Sequence, residues 1–199
     1  MAFHMILASS SSARTELLAR AHIAHTVVSP RIDEETIKSS LIADSASPRE
    51  IADCLAEMKA QKINATYPDQ MVLGCDQVLD LNGELLSKPT DPKDCKTQLR
   101  NMSGQRHKLL SAAVLYKDQK PLWRHVGVVN LRMRRLSDDY INDYVTRNWD
   151  SVRHSVGGYK LEEEGVRLFS AVQGDFFHIL GLPLLEFLGY LADRGDIDS

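Results

Sequence analysis

Met71–Pro89 reads MVLGCDQVLDLNGELLSKP, and the reading of this run decides the fold. Met71-Val72-Leu73 is a short apolar run of the kind that forms a strand buried on both faces. The run breaks at Asp76, resumes with Val78-Leu79 and turns at Asn82-Gly83. An Asn-Gly pair between apolar segments signals a tight hairpin, because both central residues take positive φ. Glu84-Leu85-Leu86 then returns, and Lys88-Pro89 follow. The reading is a carboxylate inside a core strand, with a lysine brought back near it. An ionised carboxylate in apolar surroundings is costly unless a cation, a metal or several donors satisfy it. Two readings of Asp76 stand on this segment alone: a functional carboxylate, or a strand-end residue bonded to backbone.

Working outward, the 199 residues suit one domain, 1–199, or two small lobes sharing a sheet, and 43% hydrophobic content supplies a sizeable core. A formal net charge of -3 argues against a nucleic-acid polymer as partner. No stretch has the length of a membrane span and no signal-peptide pattern opens the chain, so a cytoplasmic protein is expected. Cys54, Cys75 and Cys95 form no CxxC pair, which fits reduced thiols. The seven histidines are scattered without an HExxH pair or an evident third ligand, so structural or surface roles are expected for all of them.

Met5-Ile6-Leu7-Ala8 reads as a strand, followed by a serine-rich loop and a helix over Ala13–Ala21 with Ser12 as its cap. Free N–H groups, hydroxyls and Arg14 make that helix start a candidate anion site; the alternative is a capped helix with a surface arginine. His25–Ser29 reads as a second strand, and Ile32–Glu35 as an acidic loop. Ser47-Pro48-Arg49-Glu50 opens a helix to about residue 65 with an apolar stripe of Ile51, Leu55 and Met58. Lys59 borders that stripe and Lys62 lies within it; both read as snorkelling side chains. Asp91-Pro92 starts a helix to Met102, and Ser103–His107 is a polar turn. Leu109–Tyr116 and Val126–Met133 form two adjacent strands, and Ser137-Asp138-Asp139 opens a helix to Trp149. Val166–Val172 is extended or a short helix, Gly181-Leu182-Pro183 starts a last helix over Leu184–Leu191, and the tail from Asp193 is expected to fray. The alternation gives an α/β protein with a mixed sheet.

Eight motifs in order, LASSSSARTELL (Leu7–Leu18), Ile32-Asp33-Glu34, LAEMKAQ (Leu55–Gln61), GCDQV (Gly74–Val78), LSKP (Leu86–Pro89), MSGQRH (Met102–His107), GGY (Gly157–Tyr159) and Gly174-Asp175 with GLPL (Gly181–Leu184), resemble the Maf family of nucleoside triphosphate pyrophosphatases. The resemblance implies the ITPase-like (Ham1-like) fold: an elongated mixed sheet flanked by helices, in two lobes with a cleft. It also implies hydrolysis of a nucleoside triphosphate to the monophosphate and pyrophosphate with a divalent cation, Mg²⁺ or Mn²⁺, and a homodimer. Ser9 and Arg14 match the family's phosphate loop, Lys59 its helical lysine and Lys88 the lysine of its Gly-Lys-Pro. Glu34 and Asp76 match its acidic, metal-binding positions, Asp76 being the usual general base. The positions that track base selection hold Ala13, Gln77 and Glu162, two of which agree with members acting on 7-methyl-GTP. The chain departs from the family pattern in Ser11-Ser12-Ala13-Arg14-Thr15, which lacks the proline and one arginine, in Ser87 for glycine, and in His178 where asparagine is usual. These departures define the alternative function, a weakened member that binds nucleotide in a regulatory role in cell division.

Overall fold

A computed structural model of the chain describes residues 3–198. Strand β1 is Met5–Ala8, α1 Ser12–Arg20, β2 His25–Val27, α2 Glu34–Ala43, α3 Pro48–Asn64, β3 Val72–Leu81 and β4 Glu84–Leu86. Helix α4 is Pro92–Met102, β5 Arg106–Lys117, β6 Lys120–Met133, α5 Asp138–Val152, β7 Phe169–Gln173, α6 Phe176–Ile179 and α7 Leu184–Arg194. The seven strands form one mixed sheet in the order β2-β1-β3-β5-β6-β7, with β4 paired to β3. Both β2 and β3 run parallel to β1, and β4 and β7 are antiparallel to their neighbours. Helices flank the sheet, as expected of the α/β class. Among the described residues no helix is long and apolar enough to cross a membrane.

The chain divides into two compact units. One takes in the chain up to Gln77, Leu110–Gly127 and the chain from Phe176 onward; the other is Val78–Leu109 with Val128–Asp175. The first unit has a core of Met5, Leu7, Leu18, Leu73, Leu115, Phe187 and Leu191, all inaccessible or nearly so. Each such aliphatic or aromatic side chain contributes about 1.5–3 kcal/mol by leaving water. In the second unit the buried His107 donates to or accepts from the Tyr159 hydroxyl at 2.8 Å, and burial pushes the His107 imidazole down to about 4.

Local signals are realised where they act over a few residues. Ser47 and Glu50 form a full capping box at α3, and Asp91 and Ser137 cap α4 and α5. Asn82 (φ 54°) and Gly83 (φ 94°) both take the positive φ that the tight turn requires. Strands β5 and β6 are neighbours, joined by the two-residue Asp118-Gln119 turn with φ of 50° and 57°.

Several expectations are corrected. Strand β3 does not break at Asp76 but runs through it without interruption. The cap of α1 is Ser11, which leaves Ser12 as the first helical residue. The acidic stretch is not a loop: Glu34 and Glu35 begin α2, whose cap Asp33 accepts from Thr36 backbone N at 3.1 Å and Thr36 Oγ1 at 2.9 Å. That helix buries no residue fully, and its apolar stripe is only the half-buried Ile37 and Leu41, a weak signal by which to find it. Nor is the tail frayed at Asp193–Asp196. Helix α7 runs to Arg194, Gly195 closes it in the left-handed region, and Arg194 Nε pairs with Asp196 Oδ2 at 2.8 Å.

Candidate active site

Helix α3 lies hard against β3 because residue 74 has no side chain. A Cβ on Gly74 would stand 2.2 Å from the Ala56 carbonyl oxygen and 2.8 Å from Ala60 Cβ. The buried face of α3 is Ile51, Ala52, Leu55, Ala56, Lys59, Ala60 and Ile63, which places Lys59 inside the stripe. Met58 is only half-buried, and Lys62 is exposed and donates to the Arg31 carbonyl at 2.5 Å. The two lysines therefore exchange the places that the sequence suggests, and Lys59 is buried rather than snorkelling.

From that position Lys59 Nζ reaches two carboxylates. It donates to Asp76 Oδ1 at 2.7 Å and lies 2.9 Å from Glu34 Oε1. The Lys59 and Asp76 side chains are 7% and 8% exposed, against 44% for Glu34, so the pair is closed on the Asp76 side and open on the Glu34 side. Burial pushes the Asp76 carboxyl above its ordinary range; the Lys59 and Arg14 cations pull the other way without cancelling it. A carboxyl group held in a strand and buried is thereby made more basic than a free one, which is the direction of shift found in general bases.

Arg14 is buried in the first turn of α1 and is not a surface side chain. Its Nε donates to the Gly181 carbonyl at 2.7 Å, and its Nη1 to Ser9 Oγ at 3.1 Å and the Cys75 carbonyl at 3.0 Å. One guanidinium thus joins the loop after β1, the strand residue beside Asp76 and the Gly-Leu-Pro turn. Ser9 Oγ also accepts from Ser11 N at 3.2 Å. Gln77 is half-buried; its Nε2 donates to Ser111 Oγ at 2.9 Å and to the His178 and Ile179 carbonyls, each at 3.0 Å. That fixes the amide with its oxygen directed away from those acceptors. Ala13 sits half-buried one residue before Arg14.

Ser9, Ala13, Arg14, Glu34, Lys59, Asp76 and Gln77 all belong to the first unit, and Lys59 gathers Glu34 and Asp76 directly. Lys88 and Glu162 belong to the second unit, where both are exposed. Of the three successive glutamates, Glu163 bonds Ser151 and Lys160, and Glu164 bonds Arg147 and Asn148; Glu162 is exposed, as is Glu163. Two carboxylates converging on one ammonium are a hard-oxygen donor set, the type that Mg²⁺ or Mn²⁺ takes together with phosphate oxygens. Sequence reasoning did not single out Gly74 for its packing or Ser111; the glycine inside a strand pattern was the available signal for close backbone approach.

A family model described as "Maf-like protein" matches residues 4–194. A "Nucleoside triphosphate pyrophosphatase" of Ruegeria pomeroyi is 61% identical over 199 residues, covering all of both chains. One of Roseobacter denitrificans is 62% identical over 193 residues, or 97% of each chain. A "7-methyl-GTP pyrophosphatase" of Brucella abortus is 40% identical over 199 residues, again all of both chains.

Proposed function

The chain belongs to the Maf family, and from that premise we propose that Asp76, Glu34 and Lys59 form the centre of its pyrophosphatase reaction. The protein is a nucleoside triphosphate pyrophosphatase, a hydrolase that releases the monophosphate and pyrophosphate. The observation that carries the assignment of residues is the buried Lys59 amine shared between Asp76 and Glu34. A structural ion pair needs only one carboxylate; a second, half-exposed one at 2.9 Å supports a site that meets a ligand.

In this reading Asp76 accepts a proton from water as the water oxygen bonds to the α-phosphorus. The α–β anhydride bond breaks, and pyrophosphate leaves with the bond's electron pair. Lys59 holds Asp76 in place, favours its ionised form, and offers its charge to the substrate's phosphates. Arg14, Lys88 and Ser9 serve the remaining phosphate oxygens. Glu34 and Asp76 would hold the divalent cation, which supplies charge neutralisation at the phosphates. Gln77 and Glu162 are the proposed base-selecting residues, with Ala13 in the place of a stacking aromatic. A carboxylate accepts from a guanine's N1–H and amino group, and 7-methylation makes that purine cationic. We therefore assign a 7-methylguanosine-type triphosphate as substrate.

The test is pyrophosphate release from 7-methyl-GTP, GTP, dTTP and UTP with Mg²⁺ or Mn²⁺, run on the native chain and on Asp76→Asn. The native chain is expected to release pyrophosphate and the variant none. Activity surviving in Asp76→Asn would remove Asp76 from the reaction while leaving the family assignment intact. The alternative, a weakened regulatory member, is not favoured, because relatives matched over the whole chain or nearly so are named nucleoside triphosphate pyrophosphatases.

A further inference from the structure

Outside the carboxylate centre, the fold brings together His125, His178 and Glu186, whose ligand atoms all lie within 4.8 Å of one another. No sequence spacing announces this, since the three come from β6, α6 and α7. Strand β6 puts Trp123, His125 and residue 127 on one face, because side chains alternate along a strand. Trp123 stacks on the His125 ring at 6.3 Å between centroids and 13° between planes. Residue 127 is glycine, and a Cβ there would stand 2.2 Å from His178 Nδ1, so the bare strand makes the bed on which the imidazole lies. His178 Nε2 is 3.1 Å from both Glu186 oxygens, and His125 Nε2 is 3.5 Å from Glu186 Oε1. The His178 side chain is 8% exposed and its Nδ1 has no hydrogen-bond partner. A buried imidazole whose Nε2 meets a carboxylate that also meets a second imidazole nitrogen is a ligand set more than a packing device. His125 and Glu186, each 35% exposed, leave a path from solvent.

We propose that His125, His178 and Glu186 bind one divalent transition-metal ion of the zinc class, at a site made of none of the pyrophosphatase residues. Two imidazoles and one carboxylate suit a borderline ion rather than Mg²⁺. Ligands about 2.0–2.1 Å from a tetrahedral ion stand roughly 3.3 Å apart, close to the 3.1 and 3.5 Å separations already present. The ion would tie β6 to α6 and α7 and brace the His178 carbonyl, which accepts from Ser111 Oγ at 2.6 Å and Gln77 Nε2 at 3.0 Å. The test uses Co²⁺ as a visible probe on the Glu34→Gln/Asp76→Asn protein, in which the carboxylate centre is removed. One equivalent of Co²⁺ should give the strong d–d absorption of a four- or five-coordinate site and raise Tm. His125→Ala and Glu186→Gln should each weaken the binding by at least about tenfold. Both residues are half-exposed, so two independent variants guard against a folding defect in either. Absence of the absorption, or absorption that both substitutions leave unchanged, overturns the site without touching the pyrophosphatase assignment.

Discussion

At Asp76 the folded protein holds a carboxyl group out of water beside a single lysine, and the two partners respond oppositely to removal. Burial raises the folded-state pKa of Asp76 above its unfolded value. The folded state therefore keeps a proton that the unfolded chain has released. The contribution to stability is fullest below the unfolded carboxylate range, about pH 3.9, and declines as pH rises through the folded value. Asp76→Asn removes that decline. Its Tm is expected to equal or exceed that of the native chain, with the difference growing from about pH 4 toward neutrality. A lower Tm at every pH would instead mark Asp76 as a structural anchor. Lys59→Met does the reverse, since it leaves a buried carboxylate unpaired. It should cost about 3–5 kcal/mol near neutrality in denaturant unfolding. Acid should relieve the loss by protonating Asp76, and adding Asp76→Asn should restore most of it. Simple additivity of the two substitutions would show that the pair is not coupled.

Among the elements, the contact of α3 with β3 sets the geometry of the site. The helix approaches the strand backbone at Gly74, and its buried face carries Lys59 one turn beyond Ala56. Gly74→Ala must push the helix outward, because the obstacle is a backbone carbonyl that cannot rotate away. The expected cost is roughly 1–3 kcal/mol of stability. A displacement of about 1 Å at Lys59 is enough to lower turnover by on the order of 10²-fold. Unchanged turnover with lowered stability would separate the packing of α3 from the chemistry. Helix α1 has a similar duty through Arg14, whose three hydrogen bonds fix the loop after β1, Cys75 and Gly181 relative to one another.

For the whole molecule, the formal charge of -3 provides no general field for drawing in a polyanion. In the proposed site, substrate capture rests on local cations and selection on the base. The expected order of turnover under one metal condition is 7-methyl-GTP, then GTP, then dTTP and UTP. Ala13 supplies no aromatic surface for a cationic purine, and stacking is worth roughly 1–3 kcal/mol per base. Ala13→Trp should therefore sharpen the preference for 7-methyl-GTP, read as kcat/KM against GTP. Preference for dTTP or UTP would reverse the assignment of base and leave Glu162 as an ordinary loop carboxylate. The pyrophosphatase reaction itself would stand.

The elements legible without the fold are those governed by neighbours three or four residues away. The Ser47–Glu50 box, the Asp91 and Ser137 caps, the Asn82-Gly83 turn and the β1 run are of this kind, and each lies where its own residues direct it. The motifs that resemble the Maf family carried the identity of the reaction for the same reason: they are short, contiguous and in order along the chain. Which lysine of α3 is buried was decided otherwise. Lys59 and Lys62 are chemically equal, and their burial depends on the glycine at 74 and on Glu34, both distant in sequence. The same holds for strand β3 passing unbroken through Asp76, since Lys59 supplies the partner that makes a carboxylate tolerable there. The meeting of His125, His178 and Glu186 belongs wholly to the tertiary structure. Capping and turns act through local backbone geometry, which the sequence contains, whereas the placement of a buried charge or a ligand set depends on which distant surfaces pack against it.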